Sequence, residues 1–147
     1  MSSYVESVIG NGETVKYEAK VSVWSLLPLL ILGLILGLFL SPAAWWLGLI
    51  FWIMAFFRYK TTELALTDKK IIAKFGFIKR DTIEILLPKI ESIQVNQSML
   101  GRMLNYGSVI ASGAGNPQAP IPGISDPMAF RKKFMEVQEK VLDNTKA

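Results

Sequence analysis

The sequence predicts an α+β chain in which two membrane-spanning helices precede a run of antiparallel strands and one C-terminal helix. Three observations predict it. Residues 21–57 contain no Asp, Glu, Lys or Arg. Several short segments after them alternate apolar and polar residues, as half-buried strands do. The last twenty residues carry an apolar stripe at helical spacing.

The uncharged run is long enough for two crossings of a bilayer. A membrane-spanning helix needs about 20 apolar residues to cross about 30 Å of hydrocarbon. Ser41-Pro42 lies in the middle of the run, and proline ends a helix because it lacks the amide donor. We therefore expect a transmembrane hairpin over residues 21–59, with arms at 21–40 and 43–59. The alternative is a buried core hairpin of a soluble protein.

The flanking charges predict the orientation of such a hairpin. Lys16 and Lys20 precede it and Arg58 and Lys60 follow it, whereas its turn is uncharged. By the positive-inside bias, both termini are expected on the cytoplasmic side. Gly33 and Gly37 form a GxxxG pattern in the first arm, which indicates close helix packing against either the second arm or another subunit.

The hairpin divides the chain into three predicted segments. Residues 1–20 are polar and include a short alternating stretch before the hairpin. Residues 60–147 predict a compact domain of strands that ends in a helix. That helix begins with Asp126 as cap and Pro127 at its first position. Its apolar stripe consists of Phe130, Phe134, Val137 and Val141.

Six motifs resemble the bacterial pleckstrin-homology (PH) family, also called membrane-flanking domains. The resemblance extends from residue 12 to residue 141. The motifs are GETV (12–15), ELALTDKKII (63–72), GFIKRDTIE (76–84), KIESIQV (89–95), LGRMLNYG (100–107) and GISDP (123–127). The resemblance implies a PH-like bent sheet of about seven strands capped by the C-terminal helix. It also implies homo-oligomers and, with the hairpin, a protein of the bacterial inner membrane.

The composition argues against an enzyme. The chain has no His and no Cys, so it lacks the most common proton carrier, thiolate nucleophiles and Cys-based zinc sites. A serine nucleophile would need a lysine base with a depressed pKa, and no spacing places one. We expect no catalytic residues, no metal and no cofactor.

Two basic clusters are candidate lipid or partner surfaces. The first lies on two predicted turns and comprises Lys69, Lys70, Lys74, Lys79 and Arg80; in eukaryotic PH domains basic residues around the first hairpin hold inositol phosphates. The second is Arg131, Lys132 and Lys133, near the start of the last helix. Cations near a bilayer attract anionic headgroups. The alternative is that both clusters are solvated surface, and that the lysines of the first block pairing at strand edges.

The sequence thus favours a non-catalytic, membrane-anchored scaffold or interaction module that self-assembles. Its expected partners are the lipid bilayer, further copies of the chain and other membrane proteins. One alternative is a subunit of a membrane pore or transporter, although the uncharged run offers no intramembrane charge to mark a path. Another is an anionic-lipid-binding module. Nucleic acid is not expected, because basic and aromatic residues do not interleave on one strand.

Overall fold

The computed structural model describes residues 3–39, 42–76, 79, 81–113 and 116–146. In this part of the chain the fold is α+β, with one sheet of four strands and one of three. The helices are α1 (Ser3–Val8), α2 (Leu27–Phe39), α3 (Trp45–Thr61), α4 (Met99–Leu104) and α5 (Pro127–Lys146). The strands are β1 (Val15–Ala19), β2 (Glu63–Thr67), β3 (Lys70–Phe75), β4 (Asp81–Leu86), β5 (Ile90–Asn96), β6 (Tyr106–Gly113) and β7 (Asn116–Ser125).

The four-stranded sheet has the order β1-β2-β3-β4, and all of its pairs are antiparallel. β1 and β2 are neighbours in the sheet although the α2–α3 hairpin lies between them in sequence. The sequence alone does not tell whether the first 20 residues join the sheet. The residues of β1 do join it. A strand with one apolar face gains burial by pairing with the exposed edge of β2.

The second sheet has the order β5-β6-β7, and α5 packs over the core that both sheets share. Phe130 and Phe134 of α5 are buried in that core, as the apolar stripe predicts. The side-chain amide of Gln138 donates hydrogen bonds to the carbonyl oxygens of Leu87 (3.0 Å) and Ile90 (2.9 Å). These bonds join α5 to the connection between the sheets.

The helix α5 begins with Asp126 as its cap, as the sequence predicts. A carboxylate oxygen of Asp126 accepts a hydrogen bond from the backbone N–H of Ala129 (3.3 Å). Asp126 has a left-handed backbone (φ 48°), a conformation that Asp tolerates better than most residues. Pro127 follows as the first helical residue and is buried.

The prediction of two membrane-spanning helices is wrong: no helix in the described residues is both long and apolar enough to cross a membrane. α2 has 13 residues and α3 has 17, which correspond to about 20 Å and about 26 Å of helix. The uncharged run is longer than either helix because it is divided between α2 and α3 and because its first residues connect to the second sheet. Val21 forms a β-bridge with Ile124, and the N–H of Ser22 donates to the carbonyl of Gly123 (2.7 Å).

The predicted fold class and the predicted localisation both depended on helices that cross the membrane. A short 3₁₀ helix, Val23–Leu26, separates the bridge from α2, and another at Pro42–Ala44 precedes α3. Because neither α2 nor α3 can cross a membrane, the hairpin that precedes β2 is not a transmembrane hairpin. The description as a transmembrane protein of the bacterial inner membrane, with both termini cytoplasmic, is likewise not supported, because it required a helix that crosses.

Candidate functional site

Three glycines form the contact between α2 and α3. A Cβ atom on Gly33 would lie 2.6 Å from the Trp52 ring and 3.0 Å from the carbonyl oxygen of Gly48. A Cβ on Gly48 would lie 2.7 Å from the carbonyl oxygen of Gly33 and 3.5 Å from the backbone of Gly37. Trp52 also donates from its indole nitrogen to the carbonyl of Leu30 (3.3 Å). Gly33 of the GxxxG pattern therefore packs against the second arm of the same hairpin, whereas the Cβ position of Gly37 is open.

The rest of the hairpin exposes large apolar side chains on all sides. The exposed fractions reach 82% for Phe39, 73% for Trp46 and 70% for Leu38. The buried residues within the two helices are Gly33, Gly48 and Ala55. The other exposed large apolar side chains of α2 and α3 are Ile31, Leu32, Leu34, Ile35, Trp45, Leu47, Leu49, Ile50, Trp52, Ile53, Met54, Phe56, Phe57 and Tyr59.

The first basic cluster is partly used within the fold. The ammonium group of Lys70 pairs with Glu84 (3.1 Å) and donates to the carbonyl oxygen of Val8 in α1 (3.2 Å). The ammonium group of Lys74 lies over the Tyr4 ring, 4.5 Å from its centroid, which is a cation–π contact. Lys69 and Lys79 are exposed, and Arg80 lies outside the described residues. The four cations of this cluster that the structure describes are therefore not all free, since Lys70 and Lys74 have partners within the fold.

The N-terminal helix α1 contacts two of these lysines, and this contact was not predicted from the sequence. Val5 of α1 is buried, with 1% of its surface exposed. Beyond α1, the hydroxyl of Thr67 donates to the carboxylate of Glu13, and the N–H of Thr14 donates to the carboxylate of Asp68 (3.1 Å). The N-terminal segment is thus attached to the sheet at its β2–β3 turn. The alternation of Lys70, Ile72 and Lys74 was the available signal, because it puts a buried isoleucine between the two lysines.

The second basic cluster lies on the outer face of α5. Arg131 and Lys132 are exposed. Lys133 pairs with Glu136 (3.2 Å), and so does Lys140 (3.2 Å). The two lysines hold the pKa of the Glu136 carboxyl below its usual value, through the hydrogen bond from Lys140 first and that from Lys133 next. Lys133 is therefore neutralised within the helix, and the cluster stays a predicted lipid or partner surface through Arg131 and Lys132.

The phenol of Tyr17 has a raised pKa. Burial raises the pKa of Tyr17 on β1, and the nearby carboxylate of Asp126 raises it further. The Tyr17 ring makes an edge contact with the Phe130 ring at 5.9 Å. Tyr17 is therefore part of the packing between β1 and α5. No group of three or more acidic residues that could hold a metal ion occurs in the part of the chain that the structure describes.

Two antiparallel sheets, a C-terminal helix across their common core and an uncommonly apolar hairpin define a small PH-like binding fold. A family model described as the bacterial PH domain matches residues 16–141, and the chain belongs to that family, as the motifs predict. Comparison with curated proteins and with solved structures gives no match. PH domains are generally non-catalytic, and membership supports a scaffold or interaction module.

Proposed function

We propose that this chain is a non-catalytic interaction module that attaches to the surface of a lipid bilayer through its hairpin, without crossing it. The observation that carries the proposal is the apolar outer surface of α2 and α3. Soluble monomers rarely expose contiguous apolar patches larger than a few hundred Å². A helix that is apolar on all sides is normally covered on all sides.

Lipid covers such a hairpin better than a single protein partner does. The exposed side chains surround both helices, and a protein partner would cover one side of them. The base of the hairpin also matches a bilayer surface. Trp24 and Tyr59 lie there and are 51% and 38% exposed, and rings of this kind favour the headgroup region. Lys20 and Lys60 are exposed at the same level and would face anionic headgroups.

The test is binding of the full chain to phospholipid vesicles, measured by co-sedimentation. Full burial of one large apolar side chain is worth about 1.5–3 kcal/mol. Covering the exposed parts of Leu38 (70%) and Phe39 (82%) is therefore worth about 2.3–4.6 kcal/mol for the pair. The variant L38N/F39N should partition about 50-fold to about 2,400-fold more weakly than the wild type.

A matched control is available on α5, away from the hairpin. Met135 and Leu142 are also exposed, at 55% and 40%, so M135N/L142N removes exposed apolar surface from another face. This control should bind vesicles as the wild type does. Wild-type protein that stays in the supernatant, or equal binding by both variants, would contradict the proposal.

Self-association is the second candidate, and a groove on the hairpin favours it. Gly33, Gly37 and Gly48 line this groove of about 310 Å³ together with Leu34, Leu38, Trp45, Leu49 and Trp52. A Cβ on Gly37 would meet no atom within 4 Å. A helix from a second copy could therefore approach the backbone closely at this position.

A further inference from the structure

Two adjoining cavities lie where the hairpin meets the second sheet. The first is an apolar groove of about 370 Å³ between α2 and α4. Its wall on the hairpin side consists of Trp24, Leu27, Pro28, Ile31, Leu32 and Ile35. From Leu27 to Ile35 this wall follows α2 for about 12 Å. Leu100, Leu104 and Tyr106 form the other side.

The second cavity is polar, has a volume of about 290 Å³ and shares Tyr106 with the groove. Arg58, at the end of α3, lines it and is half-buried. No ion pair formed by the described residues includes Arg58, and none of the residues that line the cavity is acidic. The remaining lining residues are Ser25, Asn96, Ser98, Gly107, Ser108 and Gly123.

The polar cavity offers hydrogen-bond donors for an anion. The guanidinium of Arg58 has five N–H donors in a planar fork that suits phosphate oxygens. The hydroxyl oxygen of Ser98 accepts from the backbone N–H of Gly101 (3.1 Å), so its own proton is free to donate. Asn96 is exposed and adds an amide.

We propose that these cavities together bind one anionic phospholipid, with its phosphate at Arg58 and one acyl chain in the groove along α2. The charge of Arg58 fits the headgroup, and the apolar groove is continuous with the hairpin surface. The helix α4, which supplies Leu100 and Leu104 to the other wall, also exposes apolar side chains outside the groove, because Met99 and Met103 are 85% and 80% exposed. This inference rests on the proposed function, since it needs the hairpin to be at a bilayer.

The experiment compares vesicles of phosphatidylcholine alone with vesicles that also contain phosphatidylglycerol. The wild type should prefer the anionic vesicles. R58Q should bind them at least about tenfold more weakly, because a charge-assisted contact is lost. K60Q is the matched control, since it removes an exposed cation two residues away that lines neither cavity, and it should lose no more than about fivefold.

Native mass spectrometry of the full chain, with phosphatidylglycerol added in detergent, gives the stoichiometry. The wild type and K60Q should each retain one phospholipid per chain, and R58Q should not. I31W should also lose the adduct, because it fills the groove without touching Arg58, and the exposed position of Ile31 (46%) tolerates a larger side chain.

The outcomes separate the two proposals. If the wild type binds neither kind of vesicle, the proposed function fails. If it binds both kinds equally and R58Q matches K60Q, the phospholipid site is wrong and the attachment by the hairpin stands. An adduct of the mass of inorganic phosphate, or an adduct that survives in both R58Q and I31W, would also overturn the site.

Discussion

The contact at Gly48 makes the packing of the hairpin directly testable. An alanine there would put its Cβ 2.7 Å from the carbonyl oxygen of Gly33 and 3.5 Å from the backbone of Gly37. Ordinary van der Waals contact begins at about 3.4 Å. Because the obstructing atom belongs to the backbone, no side-chain rotation relieves the overlap. The substitution G48A must therefore move α2 and α3 apart by about 0.7 Å.

The expected cost follows from a comparison of two substitutions. Overpacking of this kind costs about 1–3 kcal/mol, whereas replacing glycine by alanine inside a helix gains up to about 1 kcal/mol. G37A carries the same gain without the overlap, because a Cβ on Gly37 meets no atom within 4 Å. G48A should accordingly be about 1–3 kcal/mol less stable than G37A.

The assay is thermal unfolding followed by circular dichroism, in one mild detergent and at a concentration at which the protein is a single chain. For a chain of 147 residues, 1 kcal/mol corresponds to about 2–4 °C. We expect the Tm of G48A to lie about 2–12 °C below that of G37A. Equal melting temperatures would show that the helices do not touch at Gly48, and the glycine contact would then be refuted.

Two predictions concern Tyr17 and the assembly of the chain. An absorbance titration should show Tyr17 ionising above the ordinary tyrosine pKa of 10.0, and D126N should lower its pKa only in part, since burial is the larger cause. A pKa that is raised in the folded state contributes stability below pH 10, and this contribution is lost as the pH rises above it. The free energy of unfolding of the wild type should therefore fall more steeply above pH 10 than that of Y17F. If the groove at Gly37 joins copies, light scattering in mild detergent should give a defined multiple of the 16.4 kDa chain, and G37L should reduce it. A wild-type particle of single-chain mass would exclude self-association.

Local patterns predicted most strands and the last helix. The alternation over Lys70–Phe75 places Ile71 and Ala73 on the face toward the core, and a one-residue slip would reverse both faces. The stripe of α5 and its Asp126 cap are likewise local signals. Such features depend on neighbours a few residues away, so they are readable without knowing the fold.

Long-range pairing could not be predicted in the same way. The hydrogen bond from Ser22 to Gly123 joins residues about a hundred positions apart, and it takes the start of the uncharged run out of the helix. The packing of α1 against the sheet includes the hydrogen bond from the ammonium group of Lys70 to the carbonyl oxygen of Val8. Hydropathy and charge runs carry no information about either contact, and for that reason the prediction of crossing helices was wrong.

The hairpin is held to the sheets at both of its ends. On one side Val21 and Ser22 are tied to β7, and the N–H of Ser125 donates to the carbonyl of Lys20 (2.8 Å). On the other side α3 ends at Thr61, and β2 begins at Glu63 after the buried Thr62. No long linker therefore separates the hairpin from the sheets at either end. A lipid surface that covers the hairpin, as we propose, would therefore also constrain the orientation of the sheets and the faces that they present to a partner.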